Sequence, residues 1–93
     1  MVTESAKFEV AGHYEIPERG GFLLGHIRTD GVAIGMLVGS TAHEKRFTIS
    51  GIESLSNSAT GNHLNALVLR ERPSLETLQR LFPIGSFAIV SAA

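Results

Sequence analysis

Glu18-Arg19-Gly20-Gly21-Phe22-Leu23-Leu24-Gly25 sets one carboxylate on a glycine turn and then runs directly into a short, fully apolar strand. A buried strand that begins beside a single acid is a natural place to hold a general base against a site. Just upstream, Ile16-Pro17 enforces an extended approach to the turn, because the residue before a proline avoids the helical region. Further back, Lys7 to Glu15 alternates loosely. Phe8, Val10 and Tyr14 fall on one face, Lys7, Glu9 and His13 lie off it, and Gly12 interrupts what reads as a strand or sheet edge.

Downstream, Phe22–Arg28 reads as a buried strand, and Thr29-Asp30-Gly31 is a hairpin signal, since Asp-Gly favours the positive φ of such turns. Val32–Val38 is the expected partner strand, with Gly35 a bulge or a point of close approach. After a polar connection over Gly39–Lys45, Arg46-Phe47-Thr48-Ile49-Ser50 alternates as a third strand. Sequential strands joined by short turns predict an antiparallel meander. Ser54–Asn62, rich in Ser, Asn, Thr and Gly, reads as a loop.

Ala66-Leu67-Val68-Leu69 is a further short strand. Pro73-Ser74-Leu75-Glu76-Thr77 opens a helix, with Ser74 as N-cap or Pro73 as the first helical residue. Leu75, Leu78 and Leu81 or Phe82 then share one helical face, Pro83 and Gly85 end it, and Phe87–Val90 is a last buried strand. The predicted fold class is α/β of the α+β type: a small, mostly antiparallel curved sheet with one main helix over Pro73–Leu81.

The 93 residues make a single small domain, 1–93. A chain of this size buries only about 60–65% of its unfolded surface, so an uncovered apolar face and a shared interface are expected. The apolar fraction of 43% argues against intrinsic disorder. Net charge is −1 and the cationic residues are scattered between Lys7 and Arg80, which argues against a nucleic-acid partner. Cysteine is absent, removing disulfide scaffolds, thiolate metal sites and cysteine nucleophiles. Met1–Ser5 has neither the basic start nor the apolar run of a signal peptide, and every apolar stretch is far shorter than the ~20 residues of a membrane helix. A cytoplasmic protein with no membrane partner is expected.

The order of pieces resembles the MPN (JAMM) metalloprotease-like family: Glu-x-Gly-Gly-x-Leu-Leu-Gly over Glu18–Gly25, a meander, a short strand, Pro-Ser opening a helix, then Phe-Pro and a buried strand. The match runs from about Pro17 to Ser91, and its two specific ends are Glu18–Gly25 and Pro73–Val90. The resemblance implies zinc-dependent cleavage of isopeptide bonds, with Glu18 as general base and Ser74 beside the oxyanion. It also implies zinc ligands in a His-x-His, seven residues, Ser, two residues, Asp pattern. Such a set leaves one position on the metal for water.

Aligned on Ser74, the ligand positions hold Leu64, Ala66 and Thr77, none of them a usual zinc ligand. A shift by one residue brings His63, Asn65 and Glu76 into those positions, and a second histidine is still missing. The helix that precedes the glutamate in active members is also replaced by the β-like Lys7–Glu15. A shortened or partial version of the family fold is therefore expected.

Bland readings stand beside these. Glu18 is either a solvated turn acid or a retained, vestigial site residue, and Ser74 is either a helix cap or an oxyanion donor. His63 and His43 are the runner-up metal ligands, but His43-Glu44 lacks the second histidine of a zincin helix, and no pair of histidines has i, i+2 or i, i+4 spacing. His26 lies on the apolar strand, and no Gly-x-Ser-x-Gly elbow exists.

The expected function is a non-catalytic, MPN-like interaction or assembly module, without cofactor, that binds a protein partner or a second copy of itself. One alternative is a divergent zinc-dependent isopeptidase or peptidase using Glu18, with zinc held in part by His63. The other is an unrelated small α+β binding domain.

Overall fold

The computed structural model describes residues 6–29, 31–57 and 62–92. Six strands and one helix follow in the order β1 (Ala6–Ile16), β2 (Gly20–Ile27), β3 (Leu37–Ser40), β4 (Arg46–Asn57), β5 (Asn62–Leu69), α1 (Leu75–Leu81) and β6 (Phe87–Ser91). The strands close into a barrel in the order β1-β2-β5-β4-β3-β6, and every pairing is antiparallel. Closure leaves no sheet edge along the paired stretches.

This replaces the curved α+β sheet with a main helix. The helix is only seven residues long, and the segment read as a strand or sheet edge over Lys7–Glu15 is what closes the ring. β1 pairs with β2 along Phe8–Ile16 and with β6 along Ala6–Glu9. The meander survives only in its second half, where β3 pairs with β4 through Leu37 opposite Thr48 and Val38 opposite Phe47. β2 lies between β1 and β5, while β3 lies between β4 and β6, so the segments on either side of the Asp-Gly turn signal are not neighbours. Asp30 itself lies outside the described residues, and strand β3 begins only at Leu37. Much of the expected loop over Ser54–Asn62 is strand: β4 runs to Asn57 and β5 starts at Asn62, with Ser54 opposite Asn65 and Leu55 opposite Leu64. Residues 58–61 of that loop lie outside the description.

Each strand supplies the interior with side chains at two-residue spacing: Phe8 and Val10, Leu23, Val38, Phe47 and Ile49, Leu67 and Leu69, Ala88 and Val90, all essentially without solvent contact. Two register shifts, between Val10 and Gly12 and between Ile49 and Gly51, bend β1 and β4 so that six short strands can close. At Gly25 the coil is so tight that a Cβ would overlap the Glu9 carbonyl.

Both long connections cross the ring, because β2 and β3, and likewise β5 and β6, stand opposite each other in it. The β2–β3 connection closes one end, where Val32 and Met36 pack on the core beside Ile27 and Ile52. The β5–β6 connection closes the other with α1, whose Leu78 and Leu81, together with Phe82, join the core. The Phe82 ring meets Phe47 at 6.3 Å between centroids. His13 fixes the end of this plug by donating from Nε2 to the Phe82 carbonyl across 2.6 Å. No helix among the described residues is long and apolar enough to cross a membrane.

Candidate functional site

Glu18 stands in the β1–β2 turn with an exposed side chain. Ser74 is the N-cap of α1: its hydroxyl accepts from the Thr77 N–H at 3.2 Å and donates to the Thr77 hydroxyl at 2.9 Å. That oxygen is spent on the helix. The two segments do meet, since the Gly21 N–H donates to the Pro73 carbonyl at 2.8 Å. The Glu15 carboxylate reinforces the join by accepting from the Leu75 N–H at 3.2 Å.

The histidines do not converge. His43 lies in the β3–β4 connection just before Arg46, whereas His63 pairs with Ser56 near the far end of β4. Ten residues of strand run between those ends. Both rings are exposed. Among the described residues, no three His, Cys, Asp or Glu side chains gather as a metal set.

What the barrel does assemble is an apolar groove on its outer wall, of about 440 Å³, lined by Tyr14, Ile16, Phe22, Leu24, Leu55 and Ala66, with Glu53 at its margin. The strand registers place these residues on one side. Tyr14 faces Phe22 across β1–β2, Leu24 faces Ala66 across β2–β5, and Ala66 faces Glu53 across β5–β4. Leu23 and Leu67, their neighbours in sequence, point inward. An outward phenylalanine is costly in water, and Phe22 is shielded by the edge of the Tyr14 ring at 6.5 Å and the Arg19 guanidinium at 5.0 Å. Tyr14 and Leu55 stay 54% and 45% exposed, so the groove is open among the described residues.

A second depression, of about 270 Å³, adjoins it and is lined by Arg19, Ser50, Val68, Leu69, Arg70 and Arg72. The Arg19–Glu53 ion pair, 2.9 Å long and half exposed, links the two, because Arg19 lines one and Glu53 the other. Arg70 and Arg72 have no ion-pair partner among the described residues. Arg72 is held at φ 52°, a left-handed conformation that side chains other than glycine adopt at a cost.

Sequence reasoning missed both surfaces. Phe22-Leu23-Leu24 and Ala66-Leu67-Val68-Leu69 are unbroken apolar runs, which read as strands buried on both faces. Only the outward set, taken across four strands, reveals a groove. Leu64 and Ala66, two of the residues standing at the zinc-ligand positions of the resemblance, lie on or beside this face. No family model, curated protein or solved structure matches the chain.

Proposed function

We propose that this domain works by binding a protein partner, with the groove of Tyr14, Ile16, Phe22, Leu24, Leu55 and Ala66 as the docking surface. One observation carries the reading: a small barrel whose interior is already filled leaves Tyr14 and Leu55 half exposed on its outer wall, over a groove floored by the buried Phe22 and Ala66. Exposed apolar patches of this kind mark interaction sites, and aromatic residues are the usual anchors of interfaces. Glu18 and Ser74 act in this reading as turn and cap residues, and the role is binding rather than chemistry. A cytoplasmic setting is part of the same proposal, and the low charge suits a protein partner.

The test is an affinity isolation from the native host with the wild-type domain, Leu24→Glu, Leu55→Glu and, as a surface control outside the groove, Ile84→Glu. Ile84 is 69% exposed, so its substitution samples added charge alone. The reading expects a discrete protein held by the wild type and the control and lost with both groove variants. Equal retention by all four would sink it.

A further inference from the structure

The groove and the arginine pocket are consecutive along one strand. On the outer face of β5 and just past its end, Ala66, Val68 and Arg70 follow each other at two-residue spacing: Ala66 lines the groove, and Val68 and Arg70 line the pocket. The surface thus passes from apolar to cationic over four residues, about 13 Å. Three arginines, Arg19, Arg70 and Arg72, line the pocket. Arg19 is shared with Glu53 through one nitrogen. Glu71, next to Arg70, spends its carboxylate on the Thr48 N–H and hydroxyl at 2.7 and 2.8 Å. Arg19 is thus neutralised by Glu53, while the N–H groups of Arg70 and Arg72 have no carboxylate within ion-pair distance among the described residues.

Resting on the docking reading above, we propose that this pocket takes a carboxylate of the docked partner. The partner segment then presents extended backbone with alternate apolar side chains, followed by an acidic one. The chemistry is matched on both counts. A carboxylate fits a pocket lined by Arg70 and Arg72, neither of them ion-paired among the described residues, and guanidinium forks bind its two oxygens in a plane. An extended segment repeats its side chains every two residues, as Ala66, Val68 and Arg70 do on the receiving face, so the two meet side chain to side chain on a wall with no free edge. The acidic group selects the partner and its register more than it adds affinity, because exposed ion pairs contribute little.

Two N-acetylated pentapeptide amides test this: leucine-serine-valine-serine-glutamate, and the same peptide ending in glutamine. Each is titrated into the labelled domain and followed by NMR at the methyls of Leu24 and Leu55 and at the arginine Nε–H groups. Both peptides should move the groove methyls. The glutamate peptide should bind up to about fivefold more tightly at low ionic strength. That preference should disappear in Arg70→Gln and in Arg70→Gln/Arg72→Gln, whose folding is checked by their amide spectra. Equal binding of the two peptides to the wild type, or a preference that survives the substitutions, overturns the acidic-partner inference and leaves the docking reading standing. Groove methyls unmoved by either peptide overturn both.

Discussion

The Gly21 N–H donates to the Pro73 carbonyl across 2.8 Å, and the Leu78 side chain packs on the same glycine. This one contact joins the start of β2 to the entrance of the helix that plugs the barrel. It also explains why Gly20-Gly21 follows the Glu18 turn: the backbone of the connection before α1 comes too close to admit a side chain. A Cβ at position 21 would lie 2.7 Å from the Pro73 oxygen and 2.5 Å from Leu78 Cδ1.

Gly21→Ala should therefore destabilise the domain by about 1–3 kcal/mol, as overpacking does in a filled core. Gly25→Ala should cost more, because its Cβ meets the Glu9 carbonyl, which is backbone and cannot rotate away. Gly12→Ala is the internal control, since its nearest neighbour would be Leu24 at an ordinary 3.9 Å. Urea denaturation of the three variants checks the ranking.

Ser74→Ala removes the side chain that satisfies the Thr77 N–H at the start of α1. A loss of about 1 kcal/mol is expected, as for other N-caps. Ser74→Asp, which restores an acceptor and places a negative charge at the helix start, should recover most of it. A far larger loss with Ser74→Ala, unrescued by aspartate, would mean the hydroxyl has another role.

How much of this was legible beforehand follows from the range of the interactions. Phe8 and Val10, Phe47 and Ile49, and the Ser74 cap were readable because alternation and capping are local patterns. Closure was not, since it depends on Phe8 lying opposite Ala88, a pairing eighty residues apart in the chain. The local Asp-Gly signal also favoured a hairpin between β2 and the next segment, whereas β2 has both its sides taken by β1 and β5. Ser54 to Asn57 read as loop because that end of the β4–β5 hairpin has few apolar residues to mark it as strand. At the candidate site, Glu18 and Ser74 were found where turn and cap chemistry places them. The groove stayed hidden because inward and outward positions of β2 and β5 are equally apolar.

Glu71 gives the fold a dependence on acid. Its slight burial pushes the carboxyl up, but the Thr48 N–H and hydroxyl, its own N–H and the Arg70 charge together outweigh that and hold it below its usual value of 4.5. A carboxyl depressed on folding adds stability above its ordinary pKa, and that contribution is lost as pH falls through the lowered value. Glu71→Gln should thus be less stable than the wild type at pH 7, and the gap should shrink once pH drops below about 4.5. Urea midpoints from pH 7 to pH 3 read this out, and a constant gap would count against it.

Arg72 sits at φ 52° in the turn after β5, closed by its N–H to the Leu69 carbonyl at 3.2 Å. Glycine adopts that conformation freely, so Arg72→Gly should raise stability, by up to about 1 kcal/mol. If the arginine is kept for binding, the same variant should weaken capture of the acidic peptide while the thermal midpoint rises. A fall in stability instead would assign Arg72 a packing role.

Photo-crosslinking at the groove asks the decisive question of what lies against the outer wall. Benzoylphenylalanine replaces Leu55, which lines the groove, or Lys45, an exposed residue of the β3–β4 connection, and cells of the native host are irradiated. A docking surface predicts a discrete adduct with another protein from position 55 that is absent from position 45 and abolished by Leu24→Glu. No adduct from position 55, or one that Leu24→Glu leaves intact, would contradict the assignment of this face.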